Sequence, residues 1–133
     1  NTTLAIDYHT ESLRQYSKFY SAFNNRGIAW HNNGEANRAI ADFDKAIATK
    51  EDYYTAFNNR GTTFWSMGEL DHAIADFDKA LEIKPDYHKA RQNRKRALFA
   101  KEILSRLTIP NTTPTTQPTI PTQKPTISSY QTS

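Results

Sequence analysis

Apolar and small residues in the middle of the chain recur at the spacing of amphipathic helices. Phe23, Gly27 and Trp30 fall on one helical stripe. Gly34-Glu35 then interrupts the pattern, as glycine does where a helix ends. A second stripe follows, formed by Ala39, Ile40, Phe43, Ala46 and Ile47. The pattern therefore predicts two short helices joined by a turn.

The same pattern returns 34 residues later without a gap. Residues 20–53 and 54–87 are identical at 20 of 34 positions, and Gly68-Glu69 repeats the break between the stripes. Pro85 follows the last stripe, where a helix cannot continue. A fixed period of this length marks units that bury their apolar faces by stacking on one another. The sequence thus predicts an all-α fold, a short α-solenoid of stacked helix-turn-helix units.

Two identical blocks carry a family resemblance. Ala-Phe-Asn-Asn-Arg-Gly stands at 22–27 and 56–61, and Ala-Ile-Ala-Asp-Phe-Asp-Lys-Ala stands at 39–46 and 73–80. Both resemble the tetratricopeptide repeat (TPR) family, in particular members with an Asn-Arg-Gly signature in the first helix, helix A. The resemblance implies a non-catalytic scaffold for protein–protein contacts, with a concave face lined by A helices.

The resemblance also implies packing roles for individual residues. Gly27 and Gly61 would be the small residues where helices A and B approach closely. Phe43 and Phe77 would be the aromatic wedges of helix B. The small helix-B positions would be Ala39, Ala46, Ala73 and Ala80.

The chain departs from the family pattern just before each helix-A glycine. Arg26 and Arg60 stand where the family usually has Leu. We expect each Arg to reach an acidic neighbour such as Asp42 or Asp76.

The period continues more faintly toward both ends of the chain. Ala5-Ile6 aligns with Ala39-Ile40, and Ala90 aligns with Ala56. The chain thus opens with a helix B that lacks its helix A and closes with a helix A that lacks its helix B. The predicted organisation is a degenerate helix B at 1–19, repeats at 20–53 and 54–87, a terminal basic A-type or capping helix at 88–107 and an extended Thr/Pro-rich tail at 108–133.

The two half-repeats allow two interpretations. In the first, residues 88–107 cap the solenoid by covering its last apolar face. In the second, the end of one copy accepts the start of the next, and such a head-to-tail contact builds a filament if its rotation does not close a ring. The self-association candidates are Ala5, Ile6, Leu13, Leu98, Phe99, Ile103 and Leu107.

Charge is distributed unevenly along the chain. Residues 1–87 carry 9 Lys/Arg against 13 Asp/Glu, whereas residues 88–107 carry 7 against 1. A basic helix on an acidic body favours an acidic partner or another copy of the chain, with a solvated cationic cap as the alternative. Nucleic acid is disfavoured because basic and aromatic residues do not interleave as they do where bases stack.

The tail has a composition unlike that of the repeats. Residues 108–133 contain nine Thr, three Ser, five Pro and no acidic residue. This composition favours an extended backbone and is typical of an O-glycosylated stalk, with a linker to a further domain as the alternative. Together with two Asn-Thr-Thr acceptor patterns it suggests an extracellular or cell-surface setting, while the cytoplasm stays open. The glycosylation candidates are Asn1, Asn111, Thr112, Thr113, Thr115, Thr116, Thr119, Thr122 and Thr126.

The concave face is the second candidate contact surface. Carboxamides there would donate hydrogen bonds to a peptide backbone and also accept them. The predicted groove residues are Asn24, Asn25, Asn58, Asn59, Lys89, Gln92, Asn93 and Arg96, with Ile28 and Thr62 also facing inward. The alternative is a tolerated polar surface with no ligand.

The chain lacks the sequence patterns of a catalytic or metal site. It has no Cys, and its four His residues do not have the spacing of metal ligands. Glycine loops and nucleophile elbows are also missing, and no apolar run approaches the length of a membrane span.

We therefore expect no enzyme activity, no metal and no cofactor. The favoured hypothesis is a self-associating structural subunit. The alternatives are a monomeric peptide-binding adaptor and an interaction module of a longer protein.

Overall fold

The computed structural model describes residues 19–108 and 125–127. The first range folds into five helices: α1 (Tyr20–Asn32), α2 (Ala36–Thr49), α3 (Tyr54–Ser66), α4 (Leu70–Ile83) and α5 (His88–Leu107). Helices α1 and α2 form one packed pair, α3 and α4 form the next, and α5 packs on α4. The fold is the short all-α solenoid that the sequence predicts. The predicted degenerate helix B at 1–19, apart from Phe19, and most of the tail lie outside the described residues.

The turn inside each pair depends on a glycine in the left-handed region. Gly34 has φ +79° and Gly68 has φ +80°. The Gly34 N–H donates to the His31 carbonyl at 3.1 Å, and the Glu35 N–H donates to the Trp30 carbonyl at 2.9 Å. This is the Schellman arrangement, which satisfies the last carbonyls of a helix.

The helices of each pair approach closely at a glycine. A Cβ built on Gly27 would lie 2.6 Å from Phe43 Cε1, and one built on Gly61 would lie 2.7 Å from Phe77 Cε1. Both phenylalanines are fully buried. The expected roles of these residues are confirmed, because only a residue without Cβ leaves room for the ring.

The arginines that precede these glycines hold the helices together from the side. Arg26 donates from Nε and Nη2 to both carboxylate oxygens of Asp42, at 2.6 and 2.8 Å. Arg60 donates in the same way to Asp76, both at 2.8 Å, and from Nη1 to Asp44 of the preceding repeat at 2.8 Å. The expected pairing is confirmed, and Arg60 in addition ties one repeat to the next.

Candidate peptide-binding groove

The A helices α1, α3 and α5 contact one another in succession, and their asparagines meet at the contacts. Asn59 Nδ2 donates to Asn24 Oδ1 at 3.1 Å, and Asn93 Nδ2 donates to Asn58 Oδ1 at 3.0 Å. All four side chains are fully buried. The two bonds are the same contact shifted by one period.

These pairs change the interpretation of the predicted carboxamide ladder. Asn24 and Asn58 take part in hydrogen bonds between helices and are closed to solvent. Asn25 is half-buried on α1. The structure therefore gives Asn24 and Asn58 a helix-joining position.

Asn93 contacts a segment of the tail as well as Asn58. Its Nδ2 donates to the Thr126 carbonyl at 2.8 Å, and its Oδ1 accepts from the Thr126 N–H at 2.8 Å. One carboxamide thus satisfies both polar groups of one residue's backbone, as an adjacent strand would in a sheet. The contact joins residues 33 positions apart.

Two further contacts seat the segment 125–127. Thr62 Oγ1, which also bonds to the Asn58 carbonyl at 3.0 Å, lies 3.4 Å from the Thr126 carbonyl. Ile127 packs against the cluster of Ile28, Ala39 and Phe43. Pro125 is buried, whereas Thr126 is exposed. The segment therefore runs from α5 past α3 toward α1.

A buried tyrosine lies beside the asparagines of this face. Burial is the main cause that raises the pKa of Tyr53 to about 12, the neighbouring Tyr20 contributes to the rise, and the hydrogen bond with the Asn24 side chain opposes it. The rings of Tyr20 and Tyr53 meet edge to face with centroids 5.1 Å apart. The Tyr53 hydroxyl is therefore neutral at physiological pH. The Asn93 carboxamide and the Thr62 hydroxyl, which bond to the Thr126 backbone, are uncharged groups as well.

The comparison with protein families gives the repeat its identity. The family model of the tetratricopeptide repeat matches residues 54–87. Residues 54–87 are a tetratricopeptide repeat. Residues 20–53 carry the same pattern at 20 of 34 positions and form the same kind of helix pair. No curated protein sequence matches the chain.

The tetratricopeptide repeat makes the chain a protein–protein interaction module. Of the predicted groove residues, Asn93 contacts the tail segment directly, and Asn59 is buried in its bond with Asn24. Lys89 and Arg96 are half-buried on α5, and Gln92 is exposed there. Ile28 and Thr62, also predicted to face inward, both take part in seating the segment.

Some of the predicted self-association residues are exposed, one is buried, and the rest lie outside the described residues. Leu98, Phe99 and Leu107 are exposed on α5, by 38%, 50% and 56%. Ile103 is buried and belongs to the inner face of the same helix. Ala5, Ile6 and Leu13 lie outside the described residues.

The predicted modification sites lie almost wholly outside the described residues. Thr126 is the exception, and it is exposed. The others are Asn1, Asn111, Thr112, Thr113, Thr115, Thr116, Thr119 and Thr122. Within residues 19–108 and 125–127, His, Asp and Glu form no group of three that could hold a metal ion. The same part of the chain has no helix that is long and apolar enough to cross a bilayer.

Sequence reasoning did not identify Pro125 and Ile127 as groove contacts. A signal was present, since Pro-Thr-Ile occurs at 118–120 and again at 125–127. In a Thr/Pro-rich tail a repeated tripeptide is expected from composition, so the signal alone did not point to binding.

Proposed function

We propose that the chain is a non-catalytic interaction module whose concave face binds an extended peptide through its backbone. The observation that carries the proposal is the two-way hydrogen bond between the Asn93 carboxamide and the Thr126 backbone, both at 2.8 Å. Backbone recognition needs a donor and an acceptor side by side, and a carboxamide supplies both in one plane. The apolar Ile28 cluster then supplies a surface against which a side chain of the ligand packs, as Ile127 does.

The side chains that bond to Thr126 are also held by hydrogen bonds within the solenoid. Asn58 receives a hydrogen bond from Asn93, so the Asn93 amide is held in one orientation. Thr62 is held by its own bond to the Asn58 carbonyl. A donor that is already oriented loses less conformational freedom on binding, which favours affinity.

The test uses a full-length chain whose own tail does not compete. Ile120→Ser and Ile127→Ser change both Pro-Thr-Ile sequences, and the probe is a fluorescent peptide that copies residues 122–130. Adding Asn93→Leu removes the two hydrogen bonds to the peptide backbone, of about 1 kcal/mol each, so the affinity should fall about 10- to 30-fold. Fluorescence anisotropy measures the change.

Asn24→Leu is the matched control. Asn24 lies in the equivalent interhelical pair, where it accepts from Asn59 at 3.1 Å, and it also bonds to Tyr53. Its loss therefore costs buried bonds within the fold, as the loss of Asn93 does. The control should keep its affinity for the peptide. Equal weakening by Asn93→Leu and Asn24→Leu would mean that fold stability, and not backbone recognition, governs binding.

A second candidate function is self-association, and one observation favours it. Trp30 packs against the cluster that contains Ala39 and Phe43, and Phe64 packs against the one that contains Ala73 and Phe77. Leu98 occupies the same position one period later, on α5, and is exposed. A helix B from a second copy would cover it.

The predicted helix B at 1–19 would be that partner, and repeated addition would build a filament. The tail, glycosylated or bare, would lie outside the contact, in keeping with the proposed extracellular or cell-surface setting. Growth of the mass with concentration is expected for such a subunit, against a constant 15.2 kDa for a peptide-binding monomer.

A further inference from the structure

The segment in the groove, residues 125–127, belongs to the chain itself. Each of its three residues has a different environment there. The backbone of Thr126 is bonded on both sides by Asn93, while its side chain stays exposed. Pro125 is buried, and Ile127 packs against the Ile28 cluster. Selectivity for sequence therefore rests on the Pro and the Ile, and the middle residue is read through its backbone.

The chain carries this tripeptide twice. Pro-Thr-Ile stands at 118–120 and at 125–127, and none of the other four prolines is followed by Thr-Ile. Pro121, for example, is followed by Thr-Gln. The chain thus contains a second copy of the docked sequence and a natural decoy between the two.

We infer that Pro-Thr-Ile is the ligand motif of the groove and that the tail is a built-in occupant which any outside peptide must displace. The inference rests on the proposed function. Proline suits an extended ligand because its ring sets φ near −65° in advance and so lowers the entropy lost on docking. The exposed Thr126 side chain leaves room for a modified threonine at that position.

Tethering makes the tail a strong competitor. A short tether between a ligand and its site gives an effective ligand concentration on the order of 1 mM. For a free peptide with a Kd of about 50 μM, such a competitor would weaken the observed binding about 20-fold. The groove is therefore closed to weak ligands and open to tighter ones.

The experiment compares full-length chains that differ only in the tail. The wild type, Ile127→Ser and the double variant Ile120→Ser/Ile127→Ser are titrated with fluorescent peptides that copy residues 122–130 and 115–123. A decoy peptide has Ser in place of the motif Ile. Thr126→Ala is the matched tail control, because the Thr126 side chain is exposed. Circular dichroism melts show whether each variant is folded.

The expected order of affinity is double variant, then Ile127→Ser, then wild type, with about 20-fold between the ends. Both motif peptides should bind the double variant and the decoy should not. Thr126→Ala should match the wild type.

Two results would overturn the inference while the proposed function stands. One is equal affinity in the wild type and the double variant. The other is a decoy that binds as tightly as the motif peptides, provided that Asn93→Leu still weakens binding. If the folded double variant binds none of the peptides, the inference and the proposed function both fail.

Discussion

Arg60 makes three hydrogen bonds to two carboxylates. It bonds twice to Asp76, which is 8% exposed, and once to Asp44 of the preceding repeat, which is half exposed. Burial raises the pKa of Asp76, and the nearby Arg60 holds that rise back. The carboxylate is therefore buried at a cost that the guanidinium offsets.

Arg60→Met should lower the free energy of unfolding by about 3 kcal/mol at pH 7, because it leaves the Asp76 charge buried without its partner. The same change raises the Asp76 pKa further. A raised pKa stabilises the fold at low pH, and this stability is lost as the pH rises through the folded-state value. The deficit of the variant should therefore shrink as the pH falls toward 4.

Urea unfolding of both proteins between pH 4 and pH 7 measures the deficit. The double variant Arg60→Met/Asp76→Asn is the control, because it removes the titrating group along with its partner. A deficit that stays constant with pH in the single variant would contradict the assignment to Asp76.

At the scale of the helix, α3 buries many polar residues. The helix lies between neighbours on both sides and buries eight residues, of which five are polar: Thr55, Asn58, Asn59, Thr62 and Thr63. Thr62 and Thr63 each donate to the carbonyl four residues earlier, at 3.0 and 2.9 Å. Polar residues survive in this interior because their hydrogen-bonding groups find partners there.

The close contact between α3 and α4 at Gly61 leads to a prediction about stability. A Cβ there would lie 2.7 Å from Phe77 Cε1 and 3.1 Å from the Ala73 carbonyl oxygen. Phe77 is fully buried, so its ring has no free space to move into. Gly61→Ala should lower the free energy of unfolding by about 1–3 kcal/mol, although alanine is the better helix former.

Chemical denaturation measures this loss. Asn37→Ala in α2 is the control, since Asn37 is exposed and gains helix propensity without a clash. A stabilised Gly61→Ala variant would mean that the ring moves and that the close approach is not required.

At the scale of the whole molecule, α5 is the last of the described helices and differs from the others. It has 20 residues where α1 to α4 have 13 or 14, and Leu98, Phe99, Leu104 and Leu107 are all exposed on it. The helix is also basic, with 7 Lys/Arg against 1 Asp/Glu. An exposed apolar surface on a positively charged helix favours contact with residues 1–87 of a second copy, which carry more acidic than basic residues.

Light scattering over a hundredfold range of concentration tests the self-association at this end. If copies join there, the mass should grow, and Leu98→Ser/Phe99→Ser should return it to 15.2 kDa. Gln92→Ser, also on the exposed surface of α5, is the matched control and should leave the growth unchanged. A constant wild-type mass would rule out the head-to-tail subunit.

Much of the fold could be predicted from local pattern. The 34-residue period, the helix breaks at Gly34 and Gly68 and the pairing of Arg26 with Asp42 depend on residues that lie close in sequence or recur with the period. The candidate site could be predicted only in part. Asn93 was expected on the concave face, but its contact with Thr126 joins two parts of the chain without a shared pattern.

The sequence by itself determined the repeat, the number and order of the helices in residues 20–107 and the close approach at Gly27 and Gly61. Periodicity encodes these features, because each helix must turn its apolar side to the next. Only the tertiary structure decided that Asn24 and Asn58 are buried between helices and that Ile127 packs against the Ile28 cluster. Those outcomes depend on which surfaces meet in space, and a carboxamide has the same sequence signature whether it faces a helix, a ligand or water.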